Sequence, residues 1–146
     1  MDKVAQEFVA KKRIAVIGAS RSGKKFGNAA YKELKQRGYQ VFLVHPEAKE
    51  IEGEPCYPSL DAVKDKVDGV FVSVPPAQGV QVLQQASQAG LKNVWIQQQG
   101  DSPQMLAVGK DLGLNLVHGK CILMYAEPVT SFHSFHRFFV RITGKL

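Results

Sequence analysis

Residues 12–27, KRIAVIGASRSGKKFG, decide the fold of this 146-residue chain. An apolar run rich in β-branched residues ends at Gly18, a small polar loop follows, and an amphipathic segment begins near Lys24. This order predicts a buried strand, a glycine loop and a helix. Glycine lets the backbone approach an anion and the first turn of a helix presents free N–H groups, so the stretch is typical of a phosphate site. The alternative is a tight strand-to-helix turn that holds no ligand.

Length and composition predict one globular domain, residues 1–146, with 45% hydrophobic and 22% charged residues. No apolar run approaches the roughly 18 residues of a membrane span, and the N-terminus lacks the apolar core of a secretory signal. We therefore expect a cytoplasmic protein. Cys56 and Cys121 are far apart in sequence and form no CxxC pair, so they give no support for a disulfide framework or a zinc ribbon.

Positive charge is concentrated around the opening loop. The net charge is +6, and the first 40 residues carry ten basic against three acidic side chains. Such a field suits an anionic ligand with several phosphates, or nucleic acid, and a merely solvated basic face is the alternative. Because no nucleic-acid reading motif is present, we expect no specific nucleic-acid partner.

Strands and helices alternate along the rest of the chain. Further apolar strands are predicted at residues 39–44, 68–74, 93–96 and 114–117, with helical patterns between them and a loop at residues 47–58. Residues 1–11 are expected to form a capping helix. The alternation predicts an α/β fold: a single Rossmann-like domain with a five-stranded, mostly parallel sheet and helices on both faces.

The ends of four strands are expected to form one ligand crevice, because ligands of such sheets lie beyond the carboxyl ends of the strands. The segments at these ends are Gly18-Ala19-Ser20, Val44-His45-Pro46, Val74-Pro75-Pro76 and Ile96-Gln97-Gln98.

An NAD(P) site is the less favoured alternative for this crevice. A dinucleotide-binding unit would place an Asp or Glu at the end of the second strand to bind the ribose. Here Val44-His45-Pro46 occupies that position, and Glu47 lies just past the proline. A different phosphate-bearing ligand therefore fits the sequence better.

The ordered set of strand-end motifs resembles a known family. The stretches are IAVIGAS (14–20), VHP (44–46), VSVPP (72–76), VWIQQQG (94–100) and LVHGKCILM (116–124). Over about residues 12–126 the chain is similar to the small stand-alone CoA-binding domain family. That family in turn resembles the N-terminal CoA-binding domain of the succinyl-CoA synthetase alpha subunit.

The resemblance implies a coenzyme A or acyl-CoA ligand in the crevice. Its pyrophosphate would lie on the glycine loop, the second-strand loop would lie beside adenine and ribose, and the prolines after the third strand would form an apolar wall. The residues implied are, in chain order, Gly18, Ala19, Ser20, Arg21, Lys24, Lys25, Val44, His45, Pro46, Val74, Pro75, Pro76, Ile96 and Gln97.

The sequence offers little machinery for catalysis. Cys121 is followed by apolar residues and has no nearby sequence cue for activation of its thiol, and no paired carboxylates with a reaction-like context occur. Many family members carry Glu-His shortly after this cysteine, whereas here Glu127-Pro128 follows, so a role based on that pair does not transfer. We expect non-catalytic binding, with a subunit of a larger enzyme as an alternative.

The C-terminal segment, residues 128–146, is aromatic and basic. As a helix it would align Phe132, Phe135 and Phe139 on one face, which predicts either docking on the core or a homo-oligomer contact. His133 and His136 have a spacing that a metal could use, but two ligands alone are weak support for a metal site.

Overall fold

The computed structural model describes residues 3–97 and 101–126. In these residues seven strands and four α-helices alternate along the chain. Their bounds are α1 Lys3–Val9, β1 Arg13–Ile17, α2 Phe26–Gln36, β2 Gln40–Val44, β3 Glu50–Ile51, β4 Glu54–Tyr57, β5 Gly69–Val72, α3 Pro76–Gln88, β6 Asn93–Gln97, α4 Pro103–Asp111 and β7 Asn115–Lys120. Two 3₁₀ turns, Asp61–Val63 and Ile122–Met124, complete the described elements.

The strands form one sheet in the order β3-β4-β2-β1-β5-β6-β7. Every neighbouring pair is parallel except the β3–β4 hairpin. After β4 the chain crosses from one side of β1 to the other and adds β5, so the strand order reverses at β1. This reversal places the carboxyl ends of β1, β2 and β5 around one opening, where ligands of doubly wound sheets bind.

The α/β fold with a mostly parallel sheet is confirmed, but the predicted number of five strands is wrong. The two additional strands, β3 and β4, lie within residues 47–58, which the sequence pattern assigns to a loop. Glycine and proline suggest a break there, yet Gly53 supplies the tight turn of a hairpin. Pro55, opposite Glu50, is tolerated because β4 begins to pair with β2 only at the next residue, Cys56. β4 then joins the sheet through Leu43 and Val44 of β2.

The sheet has a separate apolar core on each face, because consecutive strand side chains point to opposite sides. Ile14, Val16 and Phe71 belong to the core shared with α1, α2 and the last 3₁₀ turn. Ala15 and Val70 belong to the core shared with α3 and α4. Helices therefore cover both faces of the sheet.

The N-terminal helix α1 packs on the first of these cores. Phe8 meets the Trp95 ring edge-on, with 5.5 Å between the ring centroids. A Cβ on Gly69 would lie 2.9 Å from the Phe8 ring, so a glycine is required beneath it. Across residues 3–97 and 101–126, every helix is too short or too polar to cross a membrane. The predicted aromatic segment 128–146 lies outside the described residues.

Candidate functional site

The loops at the carboxyl ends of β1, β2 and β5 and the last residue of β6 line a common crevice of about 590 Å³. Its walls come from four parts of the chain that are far apart in sequence but adjacent in the sheet. The lining residues are Ile17, Gly18, Ala19, Ser20, Lys25, Val44, His45, Pro46, Glu47, Ser73, Val74, Pro75, Gln78 and Gln97.

Ten of the fourteen residues predicted for the ligand site lie in this lining. The four that do not are Arg21, Lys24, Pro76 and Ile96. Arg21 and Lys24 are exposed beside the glycine loop, and Pro76 is the first residue of α3. Ile96 is 1% exposed and packs in the core under α3 and α4, because the pleat of β6 turns it away from the opening.

The glycine loop is held close to its neighbours by two glycines. Gly18 has a φ of +126°, and a Cβ there would lie 2.2 Å from the carbonyl oxygen of Ser73 after β5. Gly27, in the first turn of α2, would place a Cβ 2.5 Å from the carbonyl carbon of Gly18. The loop is therefore clamped between α2 and the end of β5, a packing that any side chain at either position would prevent.

Asn28 of α2 connects the helix to this loop through its side-chain amide. Its Oδ1 accepts hydrogen bonds from the N–H groups of Ser20 at 2.9 Å and Lys25 at 3.3 Å. Its Nδ2 donates to the carbonyl of Ser20 at 3.0 Å and to Oε1 of Glu52 at 3.0 Å. The side chain is buried, at 3% exposure, so these bonds are shielded from water.

The first turn of α2 makes the glycine-loop end of the crevice favourable for an anion. Ser20 N–H is engaged by Asn28, and the first N–H groups of α2 have no partner inside the helix, as at the start of any α-helix. The first turn of α2 contains no acidic residue, and Lys25 lines the crevice just before it. The dipole of α2, the N–H groups at its start and the Lys25 ammonium group therefore all favour the binding of an anion.

His45 shapes the wall beyond β2. Its Nδ1 accepts hydrogen bonds from the N–H groups of Glu47 at 3.0 Å and Ala48 at 2.9 Å. Because Nδ1 accepts both, this arrangement assigns the ring proton to Nε2. Arg21 reaches across from the glycine loop to Glu47, with 3.8 Å between Nη2 and Oε1, and both side chains are mostly exposed.

The opposite wall is formed by residues that follow β5 and by the last residue of β6. Pro75 precedes α3 as its N-cap residue, and Gln78 of α3 lines the same side. Gln97 is 7% exposed, and its Oε1 accepts a hydrogen bond from Ile122 N–H at 3.1 Å. With that oxygen engaged, the Nε2 donor is the group that Gln97 can offer to a ligand.

Sequence reasoning missed several residues of the site. Ser73 and Gln78 line the crevice, and the VSVPP stretch that contains Ser73 could have suggested it. Asn28 carried a signal too, since it interrupts the apolar positions of α2 with an amide. Glu47 also lines the crevice, whereas the sequence pattern indicates a role for it only as a ribose-binding acid of an NAD(P) site.

A second groove, of about 450 Å³, lies between α2 and the β3–β4 hairpin. Leu43 and Ile51 contribute to its apolar lining, and ion pairs from the hairpin to α2 border it. Lys32 Nζ lies 2.6 Å from Oε2 of Glu52, and Lys35 pairs with Glu54.

These pairs change the acidity of the groups around the groove. The hydrogen bond from Lys32 holds the pKa of Glu52 below its usual range, and the bond from Lys35 does the same for the pKa of Glu54. Burial, with a hydrogen bond to Glu54, raises the pKa of Tyr31 well above its usual range. Both carboxylates are therefore ionised at neutral pH.

Comparison with known proteins connects this geometry to one family. The family model described as a CoA binding domain matches residues 12–127. Among curated proteins, an acetate–CoA ligase (ADP-forming) I from Archaeoglobus fulgidus is 29% identical over 136 residues, which is 86% of this chain and 20% of that protein. A second such ligase from this organism is 36% identical over 95 residues, 64% of this chain and 14% of that protein.

Solved structures are similar as well. A conserved hypothetical protein from Pyrococcus furiosus has a TM-score of 0.72 and 36% identity, covering 76% of this chain and 96% of its own. The apo form of a dinucleotide forming acetyl-coenzyme A synthetase 1 from Ca. Korarchaeum cryptofilum has a TM-score of 0.62 and 26% identity. The match covers 73% of this chain and 25% of the synthetase chain. The chain thus spans about a fifth or less of the curated ligases above and nearly all of the small Pyrococcus protein.

Proposed function

This chain belongs to the CoA binding domain family, and from that premise we propose that it binds coenzyme A or an acyl-CoA in the crevice. Residues 1–146 would act as one binding domain, with residues 1–11 as a cap, and would not themselves carry out a reaction. The observation that carries the proposal is the meeting of the glycine loop, the start of α2 and Lys25 at one end of a 590 Å³ crevice.

The pyrophosphate would lie on Gly18, Ala19 and Ser20 at the start of α2. Helix N–H groups and Lys25 would neutralise and hydrogen-bond it. Arg21 and Lys24 are exposed next to this loop, where flexible cationic side chains can reach further phosphate oxygens.

The rest of the ligand would follow the two walls. Adenine and ribose would lie against Val44, His45 and Pro46, whose turn is fixed by the His45 Nδ1 hydrogen bonds. The amides of the pantetheine arm would pass between the apolar Val74–Pro75 wall and the amide side chain of Gln97.

The curated relatives raise the alternative that the chain acts within a larger enzyme. They are ADP-forming acetate–CoA ligases, and the chain matches only a fifth or less of the length of the two described above. In that case the crevice would hold CoA while chemistry took place on other domains or subunits.

An NAD(P) ligand is the second candidate, favoured by one observation. Glu47 lines the crevice just beyond β2, near the place where a dinucleotide site keeps its ribose-binding acid. Against it, Arg21 already lies beside Glu47, and Pro46 separates that acid from the strand end.

We also propose a homo-oligomer contact through the aromatic segment 128–146. This proposal rests on the sequence pattern alone, because the segment lies outside the described residues.

Calorimetric titration of the full chain tests the ligand. CoA, acetyl-CoA, NAD, NADP and ADP would be compared, with thermal stabilisation as a second measurement. We expect Lys25→Glu to weaken CoA binding about tenfold or more, because it reverses the charge at the phosphate end. Lys92→Glu, an equal charge change on an exposed lysine at the opposite edge of the sheet, is the matched control.

Two results would contradict the proposal. One is stabilisation by NAD or NADP but not by millimolar CoA. The other is an equal loss of CoA affinity in Lys25→Glu and Lys92→Glu, which would indicate a long-range charge effect and no local phosphate site.

A further inference from the structure

We infer that Asn28 and Glu52 are positioning residues of the glycine loop, through which the β3–β4 hairpin controls ligand affinity without touching the ligand. Neither residue lines the crevice. The inference rests on the proposed function for its effect on CoA, but the contacts that carry it are independent of any ligand.

The side-chain amide of Asn28 uses its full hydrogen-bonding capacity. An amide side chain offers two acceptor sites and two donor hydrogens, and here two loop N–H groups and two oxygens occupy them. Two of the bonds fix both polar backbone groups of Ser20, in the middle of the loop. The amide orientation therefore determines which way the Ser20 peptide groups point.

Glu52 fixes the orientation of this amide. Nδ2 of Asn28 donates to Oε1 of Glu52, so a reversed amide would bring two acceptor oxygens together. Glu52 also lies beside the far turn of the loop, since a Cβ added to Gly23 would come 3.2 Å from its Cδ. One carboxylate thus borders the loop and is bonded to it through Asn28.

The backbone at Glu52 has an uncommon conformation. Within the described residues it is the one non-glycine residue with positive φ, at 52°, and Gly53 follows at 83°. Two successive positive values are those of a type I′ hairpin turn, in which a glutamate is unusual because this backbone favours Asn, Asp or Gly. The strained position is consistent with a side chain that is kept for its contacts and not for the turn.

The negative charge of Glu52 is paired with a lysine of α2. A carboxylate this close to a phosphate site would repel the ligand, but Lys32 lies 2.6 Å from Oε2 and neutralises it. Removing the charge and removing the hydrogen-bond acceptor therefore have opposite expected effects on affinity. Glu52→Gln removes only the charge, whereas Glu52→Ala removes both.

CoA titration of four variants separates these effects. We expect Glu52→Gln to bind CoA as tightly as the wild type or more tightly, and Glu52→Ala to bind about threefold to tenfold more weakly. Asn28→Ala should lose at least tenfold. Glu54→Ala is the matched control, since Glu54 belongs to the same hairpin and pairs with Lys35 of α2 but makes no described contact with the loop.

Amide hydrogen exchange of the unliganded proteins is the second measurement. We expect faster exchange at the Ser20 and Lys25 N–H groups in Glu52→Ala and in Asn28→Ala, and unchanged exchange in Glu54→Ala. Glu52 is only partly buried, so its variants test the idea even where Asn28→Ala fails to fold.

The outcomes distinguish this inference from the proposed function. If the wild-type protein does not bind CoA but the variants show the expected changes in amide exchange, the proposed ligand is wrong and the positioning role of Asn28 and Glu52 is supported. The role is overturned if exchange at Ser20 is unchanged in Glu52→Ala, or if Glu52→Ala and Glu52→Gln strengthen CoA binding equally, because Glu52 would then act only as a charge.

Discussion

Single residues decide how closely α2 approaches the phosphate loop. Gly27 lies in the first turn of α2, where a Cβ would come within 2.7 Å of three backbone atoms of Gly18 and Ala19. Backbone atoms cannot move aside as a side chain can. Gly79 of α3 is also buried, but its nearest neighbours are the end atoms of the flexible Met105 side chain.

Alanine substitution at these two helical glycines should therefore give different results. We expect Gly27→Ala to lower the free energy of unfolding by about 2–4 kcal/mol and to abolish CoA binding, since the helix must move off the loop. Gly79→Ala should be nearly neutral, because better helix propensity offsets the displacement of Met105. Chemical denaturation measures both, and equal destabilisation would contradict the packing argument.

Pairs of elements are joined by side chains far apart in sequence. At the amino ends of β1 and β5, Arg13 donates from Nε to Asp68 Oδ2 at 3.0 Å and from Nη2 to Oδ1 at 2.8 Å. Both side chains are nearly half exposed, so solvent screens the pair. The hydrogen bond from Arg13 nevertheless holds the pKa of Asp68 below its usual range.

This pair predicts a pH dependence of stability. A lowered carboxyl pKa contributes stability above the unfolded-state pKa of about 3.9, and the contribution is lost as the pH falls through the lower folded-state pKa. Asp68→Asn should thus cost less than about 1 kcal/mol at pH 7, and the difference should vanish in strong acid. Denaturation as a function of pH, with the exposed Asp65→Asn as control, measures it. A constant difference down to the lowest pH would argue against the ion pair.

Buried Arg37 joins α2 to the last described turn. Its Nη1 donates to the carbonyls of Leu123 and Ala126, each at 3.1 Å, and its Nε donates to Glu33 at 2.8 Å. The side chain is 2% exposed, so water cannot replace these bonds.

Removing this guanidinium should be costly. We expect Arg37→Met to lower the free energy of unfolding by about 2–4 kcal/mol, because two carbonyls and a carboxylate lose their partner. Lys35→Met, which removes an exposed cation from the last turn of α2, should cost less than about 1 kcal/mol. Thermal unfolding compares the two, and similar melting temperatures would refute a structural role for Arg37.

At the scale of the whole molecule, the crevice is a product of strand order. β1 lies between β2 and β5, so loops separated by dozens of residues meet at one edge. The match of the CoA binding domain model to residues 12–127 confirms the family that the ordered strand-end motifs indicate. Which ligand fills the crevice is the proposal that titration tests.

The proposed homo-oligomer also belongs to this scale. Deleting residues 128–146 should reduce the mass in solution to that of a monomer, because the aromatic face would be lost. Light scattering with size-exclusion chromatography measures the mass. A full-length chain that is already monomeric, or a truncated chain of unchanged assembly, would remove the proposal.

The sequence by itself determined the strand-loop-helix unit at residues 12–27, the α/β alternation and the family. These follow from local pattern, because apolar runs, glycine stops and capping residues act over a few neighbouring positions. Ten of the predicted site residues lie in the crevice for the same reason, since the ends of parallel strands share one edge.

The tertiary structure alone decided the β3–β4 hairpin, the burial of Ile96, and the contacts of Asn28 and Glu52. The hairpin joins the sheet because β4 pairs with the free edge of β2, and no local pattern in residues 47–58 predicts that pairing. Asn28 meets Ser20 and Glu52 across 8 and 24 positions of sequence. Contacts of that separation depend on how the helix packs on the sheet, and that packing is set by the whole core.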